Sequence, residues 1–452
     1  MLRKYLYNQK GMVLPLVLIL FMVLFLLSVV ALNISSADNR HSTYQAKRMQ
    51  AYYLARSGAE ALGNYIVNQS ESLTPSQLGS LINNISNITS EEIKLDDNDE
   101  GYFEILVEQN DDELNIISTG NVGDVQDTVI LTLNKTTESI LADFEHALFA
   151  DNKITFSGST KILGSVASSF TSASQISFNS SGGQYIDGDI YLLNSSLTKS
   201  DIAYSEKILG NLKVIPAPMT FTMPSFPDFD EVSSSLPIIE SKLTAGWNPS
   251  PPYVISSSGW YKEGIQVNSR LEINVGDEDL IIRTKNLNIS GSGGSNRGIY
   301  INRTGTGKLY LYIDEDFTVT SSGVINPDGN PEDALIFFKS SNFAPAGNPI
   351  IKSLLYGENA MITIGHSANI QGHIITGGNR VTISGAGTAV VRAIYAPNAT
   401  VNMEGSGSVK GIIISNELNM SGNSSLEYTD LSGDSSLDML LGKTSYRYTI
   451  WR

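Results

Sequence analysis

The stretch ITIGHSANIQGHIITGGNRVTISGAGTAVVRAIYAPNATVNMEGSGSVKGIII, Ile362 to Ile414, decides how most of this chain folds. Ile362, Ile364, Ile370, Gly372 and Ile374 stand at offsets 0, 2, 8, 10 and 12, and Val401, Met403, Val409, Gly411 and Ile413 repeat those offsets. Far upstream, Ile154, Phe156, Ile162, Gly164 and Val166 do the same. Two further copies carry two extra residues at the turn: Ile176, Phe178, Ile186, Gly188, Ile190, and Val381, Ile383, Val391, Ala393, Tyr395. Strand side chains alternate between faces, so an insertion of two leaves every side chain pointing the same way. Copies begin at 362, 381, 401 and 418, each with a turn glycine behind its first strand: Gly365, Gly385, Gly405 and Gly422.

A fixed period near this length marks a solenoid in which each rung buries its apolar row against its neighbours. A β-sandwich has no reason to keep a multi-strand spacing, so residues 147–436 are read as a parallel β-helix whose inward rows include Ile154, Ile362, Val381 and Val401. Leu287, Ile289 and Gly291, and Phe317, Val319 and Ile325, continue the pattern. The proline-rich insertion near 216–252 interrupts it and reads as a loop or a strap across the solenoid. The pattern decays at Leu426, Tyr428 and Asp430, as a capping rung would. Residues 437–452, ending in SYRYTIWR, supply a C-terminal strand or cap.

The other end of the chain is apolar without alternation. Met12 to Leu32, MVLPLVLILFMVLFLLSVVAL, is an uncharged run behind a basic leader, residues 1–11, that ends in Lys10 and Gly11. It is long enough to cross a lipid bilayer as a helix, and no small-residue cleavage site follows it. Arg3, Lys4 and Lys10 keep the leader cytoplasmic and send the bulk of the chain outward, a single-pass topology. Beyond Leu32, the residues Ala51, Ala55, Gly58, Ala59, Leu62 and Ile66 form a small and apolar stripe at helical spacing. Residues 12–69 are therefore read as one helix, about 87 Å long at 58 residues, whose small face admits a neighbouring helix. Within 70–146 the period shifts to strands at Tyr102–Glu108, Glu113–Thr119 and Val125–Leu133, an α+β head.

These features resemble the type IV pilin-like superfamily and, within it, the PilX-type minor pilins. The resemblance rests on Gly11 followed by Met12, the uninterrupted helix, and AYYLARSGAEAL at Ala51–Leu62. STGNVGDVQDTVILTL at 118–133 is similar to the strand-turn-strand after the helix in PilX-type proteins. VRAIYAPNATVNMEGSGSVKGIIISNELNMSGN at 391–423 resembles the repeat domain often joined to such N-termini. The resemblance implies that a prepilin peptidase cuts between Gly11 and Met12, and that the mature helix joins other pilins and minor pilins in a type IV pilus or related filament. Most major pilins have glutamate at the fifth mature position. Here Leu16 stands there, preceded by Pro15. A leucine offers no carboxylate to a neighbour's amine, which implies a low-copy tip or initiating subunit presenting its β-helix for adhesion or assembly at the cell surface.

Composition narrows the chemistry. The chain has no cysteine, which removes disulfides, thiolate metal sites and cysteine nucleophiles. Its formal charge is −16, and −19 without Arg3, Lys4 and Lys10. Nucleic acid is thus an unfavourable partner. The alternative function is a membrane-anchored β-helical carbohydrate-active enzyme, with Asp277, Glu278 and Asp279 or Asp314, Glu315 and Asp316 as its carboxylates. Consecutive acids read better as solvated turns, and neither set has calcium-loop spacing. Of His41, His146, His366 and His373, only His366 and His373 are close in sequence, and no cysteine or third histidine joins them to hold zinc; each histidine reads as an exposed turn or rung residue. The expectation is a chain with no catalytic, cofactor or metal site, binding through its surface a glycan or a protein ligand.

Overall fold

The structure, a computed structural model, describes Val13 to Trp451 except residues 71–77, 79–80, 83, 86–92, 95–100, 111–112, 139–140, 142–143, 216–217, 247–251, 291–296, 366, 387, 432–433 and 435–442. The fold is mainly β with one long N-terminal helix. The chain divides into two compact units, one formed by the residues up to Glu138 together with those from Lys443 onward, the other by Ser139–Gly442.

In the first unit, helix α1 runs unbroken from Val13 to Ser70. Pro15 is accommodated because it lies in the first turn, where amide hydrogens have no intrahelical acceptor. Four strands follow: β1 (Ile93–Lys94), β2 (Gly101–Gln109), β3 (Glu113–Val122) and β4 (Val125–Glu138). They form an antiparallel meander, with Gly123 at φ 62° in the tight turn between β3 and β4. The final strand of this sheet is Lys443–Trp451, paired antiparallel with β4 from Lys443 opposite Glu138 to Trp451 opposite Leu131. The C-terminal segment is therefore not a cap on the solenoid. Its Tyr446 is buried with Leu114, Ile116, Leu131 and Leu133 beneath the helix residues Ala59 and Ile66.

The second unit is a parallel β-solenoid with three strands per full rung. In its first rung, β5 (Leu148–Phe156) bends to supply two of these strands and Lys161–Leu163 the third. Inward rows stack in register: Phe343, Ile362, Val381, Val401, Leu418, Ile154 and Ile176 are successive neighbours in one column. All seven are fully or almost fully buried. At the corners Gly164, Gly372 and Gly411 take φ 138°, 123° and 147°, a backbone that residues with a side chain rarely adopt.

Stacking order differs from chain order. Leu148–Phe156 pairs on one side with Val166–Ser168 and Ile176–Phe178, and on the other with Ile412–Met420. The first rung in sequence therefore sits against the last one. Leu426, which the decaying repeat assigned to a cap, lies between Val409 and Ile162 with no exposure. The repeat decays there because the chain is leaving the solenoid, while the stack continues with the rungs of residues 148–214.

From the end of that stack at Leu212–Val214 the chain returns to the opposite end at Ile238–Ile239, and between them runs the strap. Its described part lies along one outer face, where Phe221 packs on Phe149, Phe226 on Tyr356, and Phe229 on Tyr312. Burial of these aromatic surfaces supplies most of its hold, at about 25 cal/mol per Å² of apolar area.

Candidate functional site

The candidate sites are surfaces. The first is α1. Gly11 and Met12 lie outside the described residues. Leu16 is 70% exposed, and residues 14–46 are exposed throughout. The window of highest hydropathy averages 3.0 and has no buried residue, so by length and composition this helix can cross a bilayer.

Farther along, Ala51, Ala55 and Ala59 are fully buried, Gly58 is buried and Leu62 is half-buried. Their partner is the chain's own sheet, which corrects the expectation of a neighbouring helix. Glycines on both sides allow the approach. A Cβ at Gly120 would sit 2.0 Å from the Ala51 carbonyl oxygen, and one at Gly58 would sit 2.5 Å from the Phe103 ring. A sheet fits this stripe because β3 presents Gly120 and Ser118 to it, a pairing of small residues on two elements that the helix sequence alone does not reveal.

Tyr44, Met49, Tyr52, Tyr53 and Tyr65 remain exposed on the helix. Beside Tyr44, a shallow groove of about 390 Å³ is lined by Asn39, Arg40, Thr43, Lys47, Asp124 and Val125. Lys47 Nζ reaches Asp124 at 3.1 Å, and this hydrogen bond holds the Asp124 carboxyl below the usual carboxylate range. Arg48 meets Asp127 at 3.2 Å. These exposed pairs fix the turn against the helix, and solvent screening keeps each of them weak.

The solenoid offers the other surfaces. Its strap-covered face has an aromatic row whose hydroxyls are used: Tyr395 donates to the Thr222 carbonyl at 2.6 Å and Tyr356 to that of Pro224. Arg283, buried, is the pin of the short helix Phe229–Ser233. It donates to the Phe229 carbonyl at 3.1 Å and the Ser233 hydroxyl at 2.6 Å, and pairs with Asp230 at 2.7 Å and Asp314 at 3.0 Å. A second face bears Thr244, Gln266, Asn288 and Thr318 in one outward row, and the same column continues beyond Phe343. The third face carries charges, among them Arg270 and Glu272 paired at 2.8 Å, and Lys410 and Glu427 at 3.3 Å.

The acidic triplets lie on turns between strands. Asp277, Glu278 and Asp279 are exposed, with Asp279 accepting the Lys308 amide at 2.8 Å. Asp314 is committed to Arg283, and Glu315 lies 3.7 Å from Lys285. The histidines divide. His41 is exposed and His366 lies outside the described residues. His146 is buried, which lowers its pKa, and its Nδ1 is 2.9 Å from the Ser165 hydroxyl. His373 is also buried, with Nε2 3.0 Å from an Asp434 oxygen that Arg392 reaches at 2.8 Å. These two are thus not exposed turn residues. The three-residue clasp ties the departing chain to a bulge where Arg392 is the extra residue. Ile370 is opposite Ala389, Gly372 opposite Val391 and Ile374 opposite Ile394, so this rung has one inserted residue and not the two that the sequence copy Val391, Ala393 and Tyr395 implies.

Residues 254–388, less than half of the chain, match the model of a family described as Domain of unknown function (DUF7305). No curated protein matches the sequence. Among solved structures, the competence-associated pilin ComZ from Thermus thermophilus is similar at 10% identity and a TM-score of 0.24, over 90% of this chain and 97% of that one. An ice-binding protein (LeIBP) from Arctic yeast is similar at 11% identity and a TM-score of 0.22, over 65% of this chain and 94% of that one. The DUF3494 domain of Shewanella frigidimarina ice-binding protein 1 is similar at 10% and 0.22, over 66% and 99%. Scores this low establish neither a shared fold nor a shared function.

Proposed function

We propose that this chain is a pilin-like subunit of PilX type, anchored by its N-terminal helix and displaying a β-solenoid outside the cell. The observation that carries the reading is the division of α1. The stripe of Ala51, Ala55, Ala59 and Ile66 is buried on the head sheet, while residues 14–46 are exposed. A bilayer covers ~20 residues of helix, so the polar stretch from Asn33 to Ala46 stands beyond it as about 20 Å of uncovered rod. Other pilins packing side by side would cover it.

On this reading a prepilin peptidase cuts between Gly11 and Met12. Mass spectrometry of the mature N-terminus is expected to find Met12 first; an intact Met1 in cells that hold the peptidase rejects the processing step. Leu16 supplies no carboxylate to a neighbour's terminal amine, and an amine left unpaired in hydrocarbon is costly. Repeated self-stacking is therefore unfavourable, and the subunit is sparse, at the tip or in the initiating complex. Immunogold labelling of purified filaments tests this. Sparse terminal label agrees, continuous label along the shaft contradicts a tip role, and filaments without label contradict assembly. The proposal includes no catalytic step, since Asp314 and Asp279 already have partners.

A further inference from the structure

We infer that an uncharged polar row on one face of the solenoid is a binding strip for an extended neutral polysaccharide. The inference rests on the display of the solenoid outside the cell. Six side chains in one register row carry it: Thr363, Thr382, Asn402, Asn419, Thr155 and Ser177, each the in-register neighbour of the next. The row is continuous across the junction of the last and first rungs in sequence. It extends about 24 Å at the ~4.8 Å spacing of paired strands.

Every member carries a hydroxyl or an amide, none carries a charge, and all are half-buried with their polar ends along the face. That neutrality stands out on a chain of formal charge −16. The flanking row runs Arg380, Thr400, Glu417 and Lys153, two cations and one anion, so the charge beside the ladder is small. Of the three faces, one is sealed by the strap and one is lined with ion pairs. Among the described residues, this one has an uncharged row that repeats donors and acceptors strand by strand.

A ligand matched to it is itself neutral, elongated, rich in hydroxyls and periodic. A polysaccharide chain lying along the solenoid axis has all four properties. An anionic polymer or nucleic acid finds no cation within the row itself and meets the repulsion of the acidic chain. In-register amides also steady each other, as Asn419 Nδ2 donates to Asn402 Oδ1 at 3.1 Å. Such fixed side chains lose little freedom when a ligand docks.

The test uses the full chain in detergent micelles, retained on microcrystalline cellulose, chitin or insoluble β-1,3-glucan. Wild type is expected to bind at least one of the three. Thr363→Lys with Asn402→Lys, which leaves Thr382 between the two charges, is expected to weaken retention at least tenfold at unchanged circular dichroism. Ser408→Lys, on the charged face, is expected to retain wild-type binding. No retention on any of the three polymers overturns the inference, as does equal binding by the ladder variant or equal loss in the Ser408 variant. Retention on ice crystals alone assigns the row to ordered water and also overturns it. Filament labelling is a separate readout: its failure with glycan retention intact removes the pilin reading and leaves the strip.

Discussion

Gly120 has room for a hydrogen and nothing larger, because the backbone of Ala51 passes where a Cβ would be. Gly120→Ala is expected to cost about 1–3 kcal/mol of head stability by overpacking. Gly276→Ala, at a site with nothing within 4 Å, is expected to change little; chemical denaturation of the two variants makes the comparison. In the solenoid, Val401 is fully buried between Val381 and Leu418. Val401→Asp is expected to destabilise by at least ~3 kcal/mol, since an unpaired carboxylate enters an apolar stack. Exposed Glu404→Lys is expected to be neutral, and limited proteolysis separates the two. The inward position of Val401 was legible in the sequence because alternation and a fixed period are local properties. Arg283 and His373 were not, because their partners, Asp230 and Asp434, lie far away in the chain.

Among elements, the strap shows most plainly what a linear reading misses. Its prolines mark it as non-rung, but the row it covers is set by strands distant in sequence: Phe149, Tyr395, Tyr356 and Tyr312. Burial pushes Tyr310 from 10.0 up to about 12, and moves Tyr312, Tyr356 and Tyr395 further in the same direction. In the unfolded chain these phenols ionise near their ordinary value. Above that pH the unfolded state holds fewer protons than the folded one, so stability falls as pH rises. Full stability is expected below pH ~10, with progressive loss toward pH ~12 as the folded-state values are approached. Thermal unfolding followed from pH 8 to 12, with tyrosinate absorbance as a second signal, checks this; a flat melting temperature across that window contradicts it. Tyr395→Phe is expected to lose about 1 kcal/mol through the bond to the Thr222 carbonyl.

At the scale of the whole chain, the solenoid is an insertion between two neighbouring strands of the head. Glu138 and Lys443 are opposite each other at the end of the pairing between β4 and the C-terminal strand. Replacing residues 139–442 by a short glycine-containing turn is expected to leave a head that still unfolds cooperatively in detergent, because a hairpin needs only two to five loop residues there. Loss of the Tyr446 environment in that variant contradicts the claim. Sequence periodicity revealed the rungs but not their order, since any rung with an apolar inward row stacks on any other.

That order has a consequence for how the protein is made. Strand Leu148–Phe156 is made early in synthesis, yet one of its flanks is completed only by Ile412–Met420. Until roughly the last tenth of the polypeptide has been made, a young stack stands with an open hydrogen-bonding edge, the kind of surface that recruits stray strands from other chains. Closing so long a loop is also slow. Maturation of this protein is therefore gated by the arrival of its own tail, and stalled synthesis leaves behind a sticky stack of rungs instead of a smaller sound one.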